Sequence, residues 1–505
     1  MFVTLASISQ TLGLLALVPV LVYFYMRYKH GYWQRLGIPT APGGHWFFGH
    51  FKDTVLFRKQ PGRLVGDLYR ATENHDIMGL YFLHKPFLMV RKPELIKHIL
   101  IKDFMIFPNH HFSTRNDSDK VGSLNLFSTP YPDWKYLRTK LSPVFTSGKI
   151  KKLFHLMVET SENMKQHVDN KFVGGTKTNS FRVTDILSKY ATDIISSLAF
   201  GLKSDSFTEA NPEFYTKTNE AFKSSLIRAI RFFAFFFFPQ VAKYLGGRML
   251  GTATDYFRKL FWTSMDSREA SNTKRGDVID SLIELKNEEQ DTPFKFEGDA
   301  LLAQSAIFFV AGRETTVTTA TFTLWELAKD AELQRRTRRE IFDKLDKYGM
   351  TYEGVLEMKY LFQVMSETLR MYPPVPILDR LSVADYQIPG TNITIQKGTT
   401  VYMPVQGLHS DSKYHPDPLR YDPDRFSDAR KAEIEPCSFL PFGEGPRICI
   451  ASRVGFLQTA VALITILKDY EVTPHDAECL PDPRNVFTTP LKTFTLNFSK
   501  LSKTE

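Results

Sequence analysis

Cysteine is nearly absent. Cys437, Cys449 and Cys479 are the three in 505 residues, too few for a disulfide framework, which places the working part of the chain in a reducing compartment. No fixed-period repeat occurs, which excludes solenoids and propellers, and no low-complexity stretch interrupts the chain. Zinc-finger, homeodomain and other nucleic-acid signatures are missing as well. The net charge of +9 therefore points to anionic lipid or an acidic protein partner, and not to nucleic acid. The most informative absence lies at the start, where residues 1–26 contain no Asp, Glu, Lys, Arg or His. The segment lacks the basic start and small-residue cleavage site of a removed signal peptide, and it has no arginine to suit a transit peptide.

About 20 apolar residues span a bilayer, so residues 1–26 are expected to form a transmembrane signal-anchor. Arg27, Lys29 and Arg35 follow it, and basic flanks stay cytosolic, so everything after the anchor is expected on the cytosolic face. Prolines and glycines at 38–44 make residues 27–45 a basic, stiff hinge, which leaves 46–505 as one catalytic domain. Helices are expected at 132–141, 184–200, 212–230, 299–329, 331–346, 354–371 and 450–468, and strands near 78–91, 393–403 and 485–498. The fold class is mainly α with small β-sheets. Sequons at Asn116, Asn392 and Asn497 carry no weight on a cytosolic domain. The cluster Arg335, Arg336, Arg338 and Arg339 reads as a solvated helix face.

What is present concentrates in a few short motifs. Phe442-Gly443-Glu444-Gly445-Pro446-Arg447-Ile448-Cys449 is a tight loop in which backbone can approach a flat cofactor. Cys449 opens an apolar helical stretch, whose start favours a thiolate over a thiol. Arg447 can pair with a carboxylate. Glu367 and Arg370, three apart, share a helix face. In Ala311-Gly312-Arg313-Glu314-Thr315-Thr316, the small residues leave room beside a long apolar helix, and the Thr315 hydroxyl can bond back to it. Trp134 and Arg138 share a face at a spacing of four. Six phenylalanines fall within residues 232–238, a run that is either core or an apolar surface meeting lipid and cavity.

These motifs, in this order, resemble the cytochrome P450 superfamily, in particular its insect microsomal, xenobiotic-metabolising members. The cysteine loop matches Phe-x-x-Gly-x-Arg-x-Cys-x-Gly at Phe442, Gly445, Arg447 and Cys449, with Ala451 in place of the last glycine. The resemblance implies the cytochrome P450 fold, with haem b between the long central helix and the cysteine-loop helix and Cys449 as its axial thiolate. It implies that Trp134, Arg138, Arg380 and Arg447 hold the haem propionates, and that Glu314 and Thr315 form an oxygen groove and proton path. Glu367, Arg370 and Arg425 become a structural ion network. The implied activity is NADPH-driven monooxygenation of an apolar small molecule, a xenobiotic or a steroid- or hormone-like lipid, at the endoplasmic reticulum membrane. Electrons would come from NADPH-cytochrome P450 reductase, with cytochrome b5 as a second partner, docked on a basic face around Lys135, Lys140 and the cysteine loop. The lid is expected in the phenylalanine run. Two rival readings are a reductase-independent haem-thiolate isomerase or dehydratase, and a haem- or lipid-binding membrane protein without turnover.

Overall fold

The computed structural model describes residues 5–502 except 114–115, 210–211, 223–224, 243, 245–247, 290–293 and 492, and leaves out the side chains of residues 5–16. The first four residues of the expected anchor lie outside the described residues. The chain is mainly helical, with a four-stranded, a three-stranded and a two-stranded sheet.

The helix Asp299–Lys329 is the axis of the molecule. Most of its surface is buried, so its polar residues need partners inside it. Thr315, Thr316, Thr319 and Thr323 each donate the side-chain hydroxyl to the carbonyl four residues back, at 2.7–2.9 Å, which lets β-branched polar residues be buried in a helix. Asp330 ends it, and its carboxylate accepts the Glu332 and Leu333 N–H groups to cap the next helix, Ala331–Tyr348. Helices Val183–Phe200 and Ser452–Leu467 pack against the axis.

A second core cluster forms around the four-stranded sheet. Strands Ile77–Phe82 and Lys85–Val90 make an antiparallel hairpin, the second of them runs parallel to Thr400–Met403, and Leu378–Leu381 closes the edge antiparallel to it. That register places Arg380 opposite Val401 on the edge strand. The proline- and glycine-rich connector does not hang free. Gly79 N–H donates to Pro39 O, Ala41 N–H donates to Gly79 O, and Trp33 is fully buried beneath them.

Several elements differ from expectation. The strand expected at 78–91 is the hairpin, split by a turn, and 393–403 holds two separate strands. Among the described residues, Thr495–Lys500 is the strand that falls in the expected 485–498 range. The helix expected at 212–230 breaks into Glu213–Asn219, a short 3₁₀ turn and the start of Leu226–Phe237. Ser147–Asp169, Thr254–Ser271 and Val278–Asn287 are further helices. The arginine cluster on Ala331–Tyr348 is not simply solvated. Arg336 forms a two-bond pair with Asp424 and lies 3.8 Å over Tyr360, and Arg338 donates to Leu467 O. Among the described residues no helix is long and apolar enough to cross a membrane.

The three charged residues assigned a structural role meet as expected. Arg370 donates two bonds of 2.7 Å to the Glu367 carboxylate, and Arg425 Nε reaches it at 3.3 Å. Glu367 and Arg370 are fully buried and Arg425 nearly so. The remaining guanidinium donors go to backbone carbonyls of His409, Arg420, Pro416 and Asp417. Removing one partner of a buried pair strands the others, whereas an exposed pair contributes little. Chemical denaturation should therefore show Glu367→Ala losing about 3–5 kcal/mol, against no more than about 1 kcal/mol for Asp424→Ala, which breaks only the exposed pair with Arg336. Equal losses would mean that the network does not lock the core.

Candidate functional site

A cavity of about 800 Å³ lies beside the central helix, within the roughly 300–1,000 Å³ range of small-molecule sites. Its lining gathers Trp134, Arg138, Glu314, Thr315, Arg380, Phe442, Arg447 and Cys449. Gly445, Glu367, Arg370 and Arg425 do not line it and act from behind.

The cysteine loop is shaped by its glycines. Gly443 and Gly445 have φ of +73° and +74°. A side chain on Gly445 would meet the Leu100 carbonyl oxygen at 2.1 Å, so both conformation and space require glycine there. Cys449 N–H donates to Phe442 O at 2.9 Å and closes the loop. Among the described residues, Cys449 is the one cysteine that faces the cavity, while Cys437 and Cys479 are buried elsewhere. Its accessible surface opens onto this interior space, so the thiol is at once accessible and deep within protein.

The expected helix start at Cys449 is corrected here. The helix begins at Ser452, and one backbone N–H, that of Ala451, points at the sulfur. Burial pushes the thiol pKa up, and the Ala451 N–H and Arg138 only partly offset it. The chain's own field therefore favours the thiol, and the helix dipole does not decide the matter. Ala451 sits at φ −107°, which alanine adopts freely, so glycine is not required there.

Arg138, Arg380 and Arg447 converge on one part of the cavity. Arg447 lies 4.3 Å over the Trp134 ring and donates to Pro108 O and Thr129 O at 2.6 and 3.0 Å. Arg380 is buried, and its Nε has no hydrogen-bond partner. Among the described residues none of the three forms an ion pair. The nearby carboxylate of Asp379 accepts from His110 and from the His111 N–H instead. Burial, then the neighbouring Arg380, push Arg447 down to about 8, and burial pushes Arg380 down to about 10. Buried like charges without counter-charge are costly. A flat group with two carboxylates, carrying a metal that takes a soft sulfur ligand, fits this set of residues. Haem b is such a group.

The central helix supplies the remaining wall. Thr315 Oγ1 donates to Ala311 O at 2.7 Å, as expected, without interrupting the helix. Ala311 opens onto the cavity, but the absent side chain of Gly312 makes room for something else. A Cβ there would meet Ile195 of the neighbouring helix at 2.7 Å. Arg313, within the same motif, is fully buried. It pairs with Glu314, donates to Thr192 and Asn219 at 3.0 and 2.9 Å, and lies 4.2 Å over Phe222. A charged residue in the middle of an apolar helix was the sequence signal for it.

The phenylalanine run is divided by the helix Leu226–Phe237. Phe232, Phe235 and Phe236 line the cavity, while Phe233 and Phe237 are buried in the sheet-side core against Phe57, Phe51 and Phe82. The exposed apolar residues of that helix are Leu226, Ile227 and Ile230.

Residues 39–498 match the family profile described as Cytochrome P450. The chain is 38% identical over 493 residues to Cytochrome P450 6k1 of Blattella germanica, covering 94% of this chain and 93% of that one. It is 34% identical to Probable cytochrome P450 6g2 of Drosophila melanogaster, over 94% and 96% of the two chains. It is 37% identical to Probable cytochrome P450 6a23 of the same species, over 92% and 93%.

Proposed function

The chain belongs to the cytochrome P450 family and is a haem-thiolate monooxygenase, and from that premise we propose that Cys449 is the axial ligand and that the substrates are apolar xenobiotics or hormone-like lipids. The observation that carries this is the single cavity that holds Cys449, the three guanidiniums and Thr315 together. Arg138, Arg380, Arg447 and Trp134 would hold haem b by its carboxylates, Phe442 and Gly445 would shape the loop beneath it, and Cys449 would supply the sulfur. Bound there, haem b supplies the activation of dioxygen. Phe232, Phe236, Phe308 and Phe487 give the cavity apolar walls that exclude water and favour an apolar substrate. The Thr315 hydroxyl donates to Ala311 O, so its lone pairs can accept a hydrogen bond from the cavity side. Arg313 fixes the Glu314 carboxylate one residue before it.

One oxygen atom enters the substrate and the other leaves as water, with two electrons from NADPH through a flavoprotein reductase. Cytochrome b5 is a second donor. Exposed Lys135 contributes to the docking face, whereas Lys140 is partly neutralised by Glu288. The isomerase reading makes no use of Glu314 or Thr315, and reductase-dependent NADPH consumption separates the two.

Three features support contact with the endoplasmic reticulum membrane. The first helix, Leu5–His30, exposes Leu17, Leu21 and Phe24 and ends in Arg27, Lys29 and His30. The lid helix exposes Leu226, Ile227 and Ile230, and Val241 follows it. The first helix and the segment after the lid helix, at Val241, are neighbours, since Tyr25 packs 6.0 Å from His84 and the adjacent Lys85 donates to Gln240 at 2.9 Å. In this reading residues 1–26 supply the anchor through contact with the membrane, although no helix among the described residues is long and apolar enough to cross it, and the catalytic domain lies on the cytosolic side.

Reduced protein under carbon monoxide should show the red-shifted Soret band of a thiolate-bound haem. Cys449→Ser should abolish it, and Cys437→Ser and Cys479→Ser should not; retention of the band in Cys449→Ser would sink the assignment. Thr315→Ala should bind substrate as before yet form severalfold less product per NADPH, the remainder appearing as peroxide or water. An unchanged ratio removes Thr315 from proton handling. Protein lacking residues 2–26 should still sediment with liposomes in high salt, which screens charge but not apolar contact. Adding Leu226→Ser, Ile227→Ser and Ile230→Ser should release it, and full solubility before that addition would show that the lid does not meet lipid.

A further inference from the structure

The aromatic wall of the cavity is closed by two distant parts of the chain. Phe232 and Phe236 come from Leu226–Phe237, and Phe487 comes from the loop 480–491. The Phe487 ring meets the other two edge to face, at centroid distances of 5.9 and 5.3 Å. The base of the loop is paired. Asp482 N–H donates to Thr489 O at 2.9 Å, Leu491 N–H to Leu480 O at 3.1 Å, and Thr488 N–H to Pro374 O at 3.0 Å. At the tip, Asn485 N–H donates to Asp482 O and Phe487 N–H to Asn485 Oδ1, bonds that stay within the loop and do not fix it to the body.

A bond from the body comes from Gln60, 426 residues away, whose Nε2 donates to Val486 O at 3.0 Å. Gln60 is buried and stands at the start of the helix Pro61–Arg70, where its Oε1 accepts the Arg63 N–H at 2.9 Å. Ser, Thr, Asp and Asn ordinarily fill such a capping position. Each would satisfy the helix but is too short to reach the loop as well, so the second contact depends on the length of glutamine. The helix is a firm support. It buries Leu64, Val65 and Tyr69 and packs against Val405–Leu408, where Gln406 N–H donates to Pro376 O at 3.0 Å. Successive residues at the tip face different ways, Val486 toward the sheet-side core and Phe487 into the cavity. Holding the Val486 carbonyl therefore fixes the backbone from which the Phe487 ring projects.

We propose that Gln60 is a positioning residue for substrate selection. By holding Val486 O it keeps Phe487 closed on Phe232 and Phe236, and so it limits the bulk of the apolar ligand that the cavity accepts. The proposal rests on the cavity being the substrate site of the monooxygenase described above. Without the bond the tip moves back, a slender ligand loses a wall and a bulky one gains room. Selectivity is a difference of affinities, so the effect lies in a ratio and not in either affinity alone.

The test is a Soret-shift titration of the holoenzyme with two imidazoles, the slender 1-dodecylimidazole and the bulky 1-tritylimidazole. Gln60→Ser and Gln60→Asn both keep a helix cap and lose the reach. Each should lower the ratio of the tritylimidazole Kd to the dodecylimidazole Kd about fivefold, the equilibrium weight of one ordinary hydrogen bond. Phe487→Ala should lower it as well. Adding Gln60→Ser to Phe487→Ala should then change the ratio no further, because a residue that acts through another has nothing left to act on. A residue needed only for stability would lower the unfolding midpoint without moving the ratio. An unchanged ratio in either Gln60 variant overturns the proposal, as does a second shift when Gln60→Ser joins Phe487→Ala. Failure of the underlying reading is distinguishable, because the unmodified enzyme would then lack the thiolate carbon monoxide band. An intact band with an unmoved ratio sinks only the role of Gln60.

Discussion

A carboxylate sealed from water has to be met by fixed positive charge, and Glu367 imposes that condition on the haem-side half of the molecule. Arg370 and Arg425 meet it, and because a guanidinium has more donors than one carboxylate can use, the surplus N–H groups reach out to four backbone carbonyls. One of these belongs to His409, which passes the constraint on. Leu440 N–H donates to His409 Nε2 at 2.8 Å, so that nitrogen is the acceptor and Nδ1 carries the proton, donating to Arg370 O at 3.1 Å. Burial, with His415 and Arg370 nearby, holds the ring neutral and so preserves this tautomer. Leu440 leads directly into the loop that Cys449 N–H closes on Phe442. The ion network touches nothing in the cavity, yet it fixes the strand of chain from which the cysteine projects.

The cavity itself is organised by where charge is permitted. Among the described residues Arg138, Arg380 and Arg447 form no ion pair, and burial lowers the pKa of each, with the neighbouring Arg380 adding to it at Arg447. The wall near Thr315 holds one carboxylate and two guanidiniums. Between these clusters the lining is largely aromatic and aliphatic. Such a site orients a molecule by its polar ends and leaves the middle to shape.

The helix Leu226–Phe237 shows how one apolar segment serves three environments. A helix repeats its direction every 3.6 residues, so consecutive phenylalanines cannot share a face. Phe233 and Phe237, four apart, enter the core beside the sheet, Phe232 and Phe236, also four apart, enter the cavity, and Ile227 and Ile230 remain outside. The outward apolar surface is thus aliphatic and lies at the start of the helix, before the phenylalanine run that composition drew attention to.

The long axial helix and its neighbours can be read locally, because each is a long, largely apolar run that no proline interrupts. The sequence by itself also determined the Glu367–Arg370 pair, because a spacing of three on a helix fixes both side chains on one face. The cysteine loop was legible for the same reason, since glycine and proline constrain the backbone wherever they occur. Short strands were not, because their pairing depends on partners such as Val401 for Arg380, 21 residues away. It took the tertiary structure to show that a side chain at position 312 would meet Ile195, that Cys449 stands ahead of its helix and not on it, and that Arg228 and Arg313 both act on the Glu314 carboxylate. The Gly312 and Arg228 cases are contacts between segments far apart in the chain, and local sequence carries no record of what a side chain meets across the core.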